Sequence, residues 1–509
     1  MPRQAPSRPA AAGRGEAIAR GRQGHLVAWL GVLAAVGQAG SPPLKLADPA
    51  PPTVHRPTSQ PGRLRPRVHP HVQVVSAPRP LAAGAVTSNW PTFLGPTHNA
   101  VSPETKLRKD FPAGKVPQPA LVWQMVKGEG YASPVVVGAR LVMFHRIGNE
   151  EVLECLHAER GTLYWQHRHR TTYRDRFNYN DGPRATPAVA DGRVFAYGAQ
   201  GKLCCLDLRT GQLVWKRDVA REFKIRPSFF GAGSSPVVEG GRVLLSIGGR
   251  GGPAVVAFDA RTGRLAWGAE RKWGAGYASP VPASLHGKRV VFVLAGGESD
   301  PPTGGLLCLD PRTGSTHFRF PWRSGRVHSV NASSPVVAGQ TVFLSSIYDI
   351  GGALLRVGPN LAHTVVYRTK EYASHWMTPI VRGGFLYGFA DAALVCMELK
   401  TGKEVWRTEP SRKPTAGADG RRRRVRLGRA SLLWADGAFL CLGEYGDLCW
   451  MDLSPKGMKI TARAKLFHAP QTWVCPVLSR GLLYICQNCR DTRTGRPPRL
   501  LCYDLRGGP

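Results

Sequence analysis

Two adjacent cysteines, Cys204 and Cys205, are the residues of this 509-residue chain whose spacing most directly suggests redox chemistry. If their sulfurs were joined, they would form a vicinal disulfide, which can exchange electrons with a cofactor beside it. The surrounding stretch "KLCCLDLRTGQLVWKRD" (202–218), however, has the apolar residues and the Thr-Gly turn of two paired strands. Adjacent residues on a strand point to opposite faces of the sheet, so the two sulfurs should diverge. We therefore predict that both are core cysteines.

The remaining cysteines raise the question of pairing. The chain has eleven, so in an oxidising compartment at least one would be unpaired or would pair between molecules. Cys486 and Cys489 form a C-x-x-C motif that could close a disulfide, bridge to Cys502, or supply half of a metal site. No second C-x-x-C motif or nearby pair of histidines accompanies it in the sequence, so we predict no metal centre.

A second set of chemically capable side chains lies in long segments rich in Arg, Tyr, Phe, Trp, His and Asn. Loops held on a rigid scaffold commonly carry binding residues, and these residue types are typical of binding surfaces. For each residue the alternative is that its side chain only orders its own loop. We predict no catalytic residue. The candidate ligand-binding residues are Tyr173, Arg174, Asn180, Arg184, Phe229, Phe230, Trp322, Arg323, His328, Asn331, His375 and Trp376.

An internal repeat indicates the elements that must position these loops. Eight segments share a strand–turn–strand pattern, as in "ASSPVVAGQTVFLS" (332–345), and a second pair follows, as in "LDLRTGQLVW" (206–215). The units recur about 50 residues apart, and four strands per unit at such a period indicate a β-propeller. We predict an all-β fold, an eight-bladed propeller of four-stranded blades.

Ring closure and blade packing give two sharper predictions. The last unit supplies three strands, whereas "PALVWQ" (119–124) precedes the first unit as an unassigned strand. We predict that this N-terminal strand completes the eighth blade as its outer strand. In each D-x-R-T-G turn, the Asp should accept from turn amides and the Gly should take the left-handed conformation. The outer-strand tryptophans expected to pack between blades are Trp165, Trp215, Trp267 and Trp406.

The first 88 residues differ from the repeat region. "LVAWLGVLAAVG" (26–37) is a short apolar run after a basic stretch, which is the layout of a secretory signal. An uncleaved membrane anchor is the alternative, although the run is short for a bilayer span. We predict a signal peptide or membrane anchor over 1–39, a Pro-rich disordered linker over 40–88, and the propeller over 89–509.

The formal net charge of +35 would attract polyanions. The Arg residues are nevertheless scattered, and no nucleic-acid-binding module is recognisable. We therefore predict no nucleic-acid partner. We also expect export to the periplasm or cell envelope, membrane contact only through the N-terminal segment if it is not cleaved, and a monomeric state.

The "LDxxTGxxxW" repeat resembles that of the PQQ-binding-like (pyrroloquinoline-quinone repeat) β-propellers, which include quinoprotein alcohol dehydrogenases and BamB, an assembly lipoprotein of outer-membrane β-barrels. The stretches "NWPTFLGPTHNAVSPETKL" (89–107) and "FPWRSGRVHSVNASSPVV" (320–337) resemble exported members of this family from planctomycete-type bacteria. The resemblance to BamB implies an exported binding or scaffold module. Its basic aromatic rim loops would then hold an envelope protein, a peptide or an anionic glycan.

The resemblance to the dehydrogenases implies the alternative, a PQQ-dependent oxidoreductase acting on an alcohol or sugar. That activity requires PQQ with Ca²⁺, a stacking Trp, a Ca²⁺ site of Glu, Asn and Asp, and a base Asp. Asp175, Asp181, Asp349 and Glu371 lie in or near the loops, but none of them matches a dehydrogenase motif. We therefore favour the binding module and assign no cofactor.

Overall fold

The computed structural model describes residues 40–55, 64–111, 118–225, 228–248, 252–409, 415–416, 422–423 and 427–507. Within these ranges the chain forms eight antiparallel sheets, each with four blade strands, and this architecture is an eight-bladed β-propeller. The predicted fold class is therefore confirmed. The segment 1–39, predicted to be a signal peptide or membrane anchor, lies outside the described residues. In the part that is described, no helix is long and apolar enough to cross a membrane.

Three strands precede the first blade: β1 (Thr53–Val54), β2 (Val72–Val74) and β3 (Ala120–Val126). Blades 1 to 7 are each a meander of four strands paired in chain order. The strands of blades 1 to 4 are β4 (Val135–Val137), β5 (Arg140–Ile147), β6 (Glu150–His157), β7 (Leu163–Arg170), β8 (Ala188–Ala190), β9 (Arg193–Tyr197), β10 (Lys202–Asp207), β11 (Leu213–Asp218), β12 (Val237–Glu239), β13 (Arg242–Ser246), β14 (Val255–Asp259), β15 (Leu265–Ala269), β16 (Val281–Leu285), β17 (Lys288–Ala295), β18 (Gly305–Leu309) and β19 (Thr316–Pro321).

A single-turn helix, α1 (Val219–Glu222), follows β11. Between blades 6 and 7, two short strands, β28 and β29, pair with each other. The strands from blade 5 onward are β20 (Val336–Ala338), β21 (Thr341–Ser346), β22 (Gly351–Val357), β23 (His363–Thr369), β24 (Ile380–Arg382), β25 (Phe385–Ala390), β26 (Ala393–Glu398), β27 (Glu404–Thr408), β28 (Thr415–Ala416), β29 (Arg422–Arg423), β30 (Ser431–Ala435), β31 (Ala438–Leu442), β32 (Asp447–Ser454), β33 (Gly457–Lys465), β34 (Val477–Ser479), β35 (Leu482–Gln487) and β36 (Arg499–Asp504).

Blade 8 is completed by β3. This strand pairs antiparallel with β36 and places Trp123 opposite Cys502. The indole of Trp123 is fully buried, and its Nε1 donates to the Ala158 carbonyl of blade 1 at 2.9 Å. The prediction that an N-terminal strand closes the ring is confirmed. Closure thus rests on backbone pairing between two distant parts of the sequence.

In blades 2, 3 and 4 the repeated turn packs against the tryptophan of the preceding blade. In blade 2, Asp207 Oδ1 accepts hydrogen bonds from the backbone N–H and the hydroxyl of Thr210, both at 2.7 Å. Trp165 of blade 1 lies over this turn and donates from Nε1 to the Leu208 carbonyl at 2.9 Å. Gly211 has a φ of +72°, and a Cβ there would collide with the Trp165 ring. The predicted packing recurs for Trp215 over Gly263, for Trp267 over Gly314, and for Trp406, which donates to Ser454.

The cysteine pair of β10 lies in the cores on either side of blade 2. Cys204 packs with residues of blades 1 and 2, and Cys205 packs with residues of blades 2 and 3. Burial raises the pKa of the Cys204 thiol to about 12, which disfavours the reactive thiolate. All eleven cysteines are free, including the C-x-x-C pair Cys486 and Cys489. The prediction of divergent core cysteines at 204 and 205 is confirmed.

The segment before β3 differs from the sequence prediction. Residues 40–88 were expected to be a disordered linker, but their described parts pair with the propeller along its circumference. We call residues 40–55 and 64–79 the N-terminal belt. Outer strands expose unpaired N–H and C=O groups, so a Pro-rich segment can be held by backbone pairing without supplying a core. The pairs, on blades 4, 3, 2, 1 and 8 in turn, are Ser41 with Thr316, Leu44 with Gly268, β1 with β11, Arg67 with Leu163, and β2 with β3.

His69 fastens the belt to blade 1 through a buried carboxylate. Its Nε2 lies 3.3 Å from one oxygen of Glu154, and Nε2 of His145 lies 3.3 Å from the other. Backbone N–H groups of His71 and Gly128 donate to Nδ1 of His69 and of His145, so it is Nε2 of each ring that faces the carboxylate. Burial alone would raise the pKa of Glu154, but the two imidazoles outweigh burial and hold that pKa below its usual range.

Candidate functional site

One face of the ring carries the connections from each outer strand to the next inner strand and the turns between second and third strands. Because strands alternate in direction, both sets of connections emerge on the same side. We call this surface the loop face. Its main parts are residues 127–134, 171–187, 198–201, 228–236, 270–280, 296–304, 322–335, 347–350, 370–379, 443–446, 466–476 and 488–498.

Aromatic side chains on the loop face contact one another across the ring. Tyr179, in the loop entering blade 2, lies 5.4 Å from Trp473, in the loop entering blade 8, and Trp473 lies 4.9 Å from Trp376, in the loop entering blade 6. Blades 2 and 6 are opposite in an eight-bladed ring, so these side chains span the mouth of the central channel. We call Tyr131, Phe177, Tyr179, Phe229, Phe230, Tyr277, His328, Tyr348, His375, Trp376 and Trp473 the aromatic cluster.

Five of the predicted site residues belong to the aromatic cluster. Phe229 is buried and contacts the exposed ring of His328, with centroids 5.7 Å apart. Phe230 is half-buried, and its backbone N–H donates to Tyr277 Oη at 2.9 Å. The other two predicted members are His375 and Trp376. Besides His328, the outer surface of the cluster comes from Phe177 and Tyr179, which are 52% and 43% exposed.

His375 and Trp376 form the blade 6 side of the cluster. Their rings lie 4.6 Å apart, and Nε2 of His375 lies 3.2 Å from Tyr348 Oη. Burial, assisted by the positive charge of Arg429, lowers the pKa of His375 to about 4, so its ring is neutral at pH 7. Arg429 also lies over the Trp376 ring at 5.2 Å and pairs with Asp391 at 3.1 Å.

Arg184 orders the loop that enters blade 2. Its guanidinium pairs with the fully buried Asp175 carboxylate and donates to the Gly182 carbonyl at 2.8 Å and the Asn180 carbonyl at 3.0 Å. It also lies 5.4 Å from the centroid of the buried Tyr173 ring. These contacts use most of its donors within its own loop.

Trp322 and Asn331 lie deeper than the sequence prediction implies. Trp322 is 2% exposed, lies 6.1 Å from Phe320 and belongs to the core between blades 4 and 5. Asn331 is buried, and its Nδ2 donates to the carbonyls of Ala295 at 2.9 Å and Trp322 at 3.1 Å. Both residues therefore fix the shape of the loop entering blade 5 and are not available at its surface.

Arg323 and Arg174 occupy different environments. Arg323 is half-buried and donates to the Gly297 carbonyl at 2.5 Å. Burial lowers its pKa to about 10. Arg174 is largely exposed and pairs with Asp181 at 2.7 Å. It contributes charge to the surface of the loop face.

Buried polar atoms without a hydrogen-bond partner among the described residues are concentrated here. Seven of the twelve predicted residues carry one or more. Most are N–H donors, and each costs free energy when it is left unpaired. The atoms are Tyr173 Oη, Asn180 Nδ2, Trp322 Nε1, Arg323 Nε and Nη1, Asn331 Oδ1, His375 Nδ1 and Trp376 Nε1.

Sequence reasoning missed several residues of the cluster. Tyr179 lies between the predicted residues Arg174 and Arg184, and Trp473 begins the eighth repeat. Trp473, like His375 and Trp376, shortly precedes an inner strand, so a search for large aromatic residues at that position of the repeat would have found it. Its contact with Tyr131, at 5.6 Å and nearly parallel, joins loops that are far apart in sequence.

The residues of the loop face do not fit PQQ held over Ca²⁺. Several carboxylates of the loop face are already paired with cations, as in the pairs of Asp175 with Arg184 and Glu298 with Arg176. A Ca²⁺ site needs several free oxygen ligands that converge. Across the described ranges, no three His, Cys, Asp or Glu side chains group to hold a metal ion. We therefore derive no chemical step through this cofactor.

Comparisons with known proteins agree with the fold. A family model described as outer membrane protein assembly factor BamB matches residues 148–408. The chain is 34% identical over 124 residues to BamB of Yersinia pestis, covering 24% of this chain and 27% of that protein. It is 28% identical over 228 residues to the quinoprotein alcohol dehydrogenase PedH of Pseudomonas putida, covering 42% of this chain and 37% of that protein. The matches thus span well under half of these two relatives.

Solved structures show the same architecture. BamB from Moraxella catarrhalis aligns with a TM-score of 0.51 at 16% identity, covering 76% of this chain and 98% of that chain. A europium-containing methanol dehydrogenase aligns with a TM-score of 0.58 at 13% identity, covering 82% of this chain and 98% of that chain. Identities this low show a shared fold and do not transfer an activity.

Proposed function

Because the chain belongs to the family described as outer membrane protein assembly factor BamB, we propose that it is an exported scaffold whose loop face binds an extended polypeptide segment of an envelope protein. The family description and the names of the BamB relatives refer to assembly of outer membrane proteins. The chain's own partner is argued from its residues.

The observation that carries the proposal is the concentration of unpaired buried polar atoms, most of them donors, on the same loop face that carries exposed aromatic rings. A polypeptide backbone supplies carbonyl acceptors at regular intervals, and its side chains can cover apolar rings. Each unpaired donor costs about 1–3 kcal/mol. If the aromatic rings move aside, carbonyl groups of a bound peptide can accept hydrogen bonds from Arg323 or Trp376. Those bonds would recover part of that cost.

The surface chemistry supports the same class of partner. Phe177 and Tyr179 project from the loop face and lie beside Arg174 and Arg176. Aromatic residues together with Arg are the types that contribute most to protein–protein binding.

The test uses an array of overlapping peptides tiled over the envelope proteins of the source organism. The strongest peptide is then titrated by fluorescence anisotropy. Phe177→Ala/Tyr179→Ala should weaken its binding about tenfold or more. The matched control, Val365→Ala/Val405→Ala, removes two similarly exposed apolar side chains from outer strands β23 and β27 and should leave affinity unchanged. Equal affinities for all three proteins would contradict the proposal.

A second titration separates this function from cofactor chemistry. The full chain is titrated with PQQ and Ca²⁺, and binding is followed by calorimetry and absorbance. The scaffold proposal expects no saturable binding. One-to-one binding would replace it with a quinoprotein oxidoreductase function.

A further inference from the structure

A cleft of about 710 Å³ lies at the outer margin of the ring and shares no residue with the aromatic cluster. The outer strand β7 of blade 1 forms one wall, and β10, β11 and α1 of blade 2 form another. Residues of the N-terminal belt, Pro49 to Thr53, close the third side. Its volume lies within the range of small-molecule sites and exceeds what a single inorganic anion fills.

Positive charge dominates the lining of this cleft. Arg170, Lys216 and Arg221 are exposed, and Lys202 is half-buried. Lys202 Nζ donates to the Arg170 carbonyl at 2.7 Å, which leaves its charge without a counterion. None of these four cations forms an ion pair within the described residues. They are therefore available to an anionic ligand.

The acidic residues nearby are largely matched already. Arg217, a fifth cation at the cleft, is fully buried between Asp48 at 2.5 Å and Glu222 at 2.8 Å. The remaining acidic lining residue, Asp218, accepts the Arg221 backbone N–H at 3.1 Å. Four cations thus face one carboxylate that is not held by Arg217.

Two imidazoles add hydrogen-bonding groups to the same walls. His169 is oriented by Glu151, with Nε2 2.9 Å from Oε2. Burial lowers the pKa of His167 to about 4, and the nearby His169, Lys216 and His55 add to the effect. His167 is therefore a neutral donor and acceptor at pH 7, able to contact hydroxyl groups.

We propose that this cleft binds a phosphorylated cyclic polyol of the inositol phosphate type, either free or as the head group of a lipid. A phosphoryl group carries up to two negative charges and several acceptor oxygens, which suit a cluster of Lys and Arg side chains. The rest of the cavity accommodates a polar ring, whose hydroxyls meet His167 and whose apolar face lies against Pro49 and Pro51. The site is independent of the proposed polypeptide-binding function.

The binding test uses inositol bisphosphate as the probe and unphosphorylated inositol as the uncharged comparison. Calorimetry of the full chain should give saturable binding of the bisphosphate and none of inositol. Lys216→Gln/Arg221→Gln should weaken the binding about tenfold or more. Lys456→Gln/Lys459→Gln, at exposed positions around the β32–β33 turn, removes the same net charge and should leave binding within about twofold of the wild type.

This control distinguishes binding at the cleft from nonspecific attraction of an anion to a protein with net charge +35. An equal loss in both double variants, or no binding of the bisphosphate, would overturn the proposal. All four substituted side chains are exposed, so unchanged thermal midpoints are expected. Arg170→Gln provides a second variant of the cleft should one protein fail to fold.

The source of the head group is addressed with vesicles. Co-sedimentation with vesicles containing phosphatidylinositol phosphate, lost in Lys216→Gln/Arg221→Gln, would support a lipid-borne ligand. Binding of the soluble bisphosphate without co-sedimentation would support a free phosphorylated polyol. Vesicle binding that survives in the cleft variant, with no binding of the soluble probe, would contradict the proposal.

Discussion

Trp473 and Glu444 are joined by a hydrogen bond of 2.8 Å from the indole Nε1 to Oε1. This bond fixes the indole in the position from which it contacts Tyr131, Tyr179 and Trp376. A side chain of blade 7 therefore orients the ring that connects the loops of four other blades at the channel mouth.

Substitution of Trp473 should weaken both stability and peptide binding. Trp473→Ala removes three ring contacts and leaves Glu444 without its donor, so we expect a loss of about 1–3 kcal/mol in the free energy of unfolding. Denaturant titration measures the stability, and anisotropy with the selected peptide measures the affinity. Trp473→Phe keeps most ring contacts and should lose less of each. Full affinity in Trp473→Ala would show that the cluster is not part of the binding surface.

We expect Arg184 to stabilise the conformation of the loop that enters blade 2. Arg184→Ala leaves the buried Asp175 carboxylate without its cation, so we expect a loss of about 3–5 kcal/mol in stability. Arg184→Gln/Asp175→Asn removes both charges and should be clearly more stable than Arg184→Ala. The comparison is made by denaturant unfolding. If the single and double variants were equally destabilised, the Asp175 charge would not be the cause.

Two glycines with the same backbone conformation distinguish the cost of a left-handed backbone from the cost of a steric clash. Gly192 and Gly211 both have a φ of +72°, but only Gly211 has a tryptophan ring in the space of a Cβ, that of Trp165. Gly192→Ala should cost about 1 kcal/mol, the expense of a left-handed conformation. Gly211→Ala should cost at least about 1 kcal/mol more, because the Trp165 ring must also move. Equal costs in thermal unfolding would show that the ring moves without resistance.

The carboxylate of Glu154 should make stability depend on acid pH. Its pKa is lowered in the folded protein, so its contribution is present above the unfolded value of about 4.3 and is lost as pH falls through the lower folded value. Glu154→Gln lacks this contribution. Denaturant unfolding between pH 7 and 3 should therefore show a steeper loss below about pH 5 for the wild type than for the variant. Parallel curves would contradict the assignment.

Sequence could predict the blades because their signals are local. The turn at Asp207 to Gly211 and the alternation of β10 lie within a few residues, and the same pattern recurs around the ring. The sequence does not predict the belt because its pairing with the propeller uses backbone groups. Nothing in the residues around Leu44 indicates that its partner is Gly268. A Pro-rich composition correctly indicates the absence of a core, but it does not exclude pairing with an exposed strand.

The sequence predicts which loops form the candidate site, but it does not predict which of their side chains are buried or touch each other. Composition identified the loops, but it could not separate Trp322, which lies in the core between blades 4 and 5, from Trp376, which lies at the channel mouth. That difference depends on how the loops fold over each other. Contacts such as Tyr179 with Trp473 join loops of different blades and have no local signature.

The belt pairings also limit the order in which contacts can form when the chain becomes available N-terminus first. Its C-terminal strand β2 pairs with β3, which follows soon after it, whereas Ser41 pairs with Thr316 of blade 4. As successive blades emerge, the belt can fasten to blade 1, then 2, then 3, then 4, closing backwards from β2 toward Ser41. The seam of blade 8 remains open until β36 has been made. The belt can therefore pair with the outer strands over half of the circumference before the ring is closed.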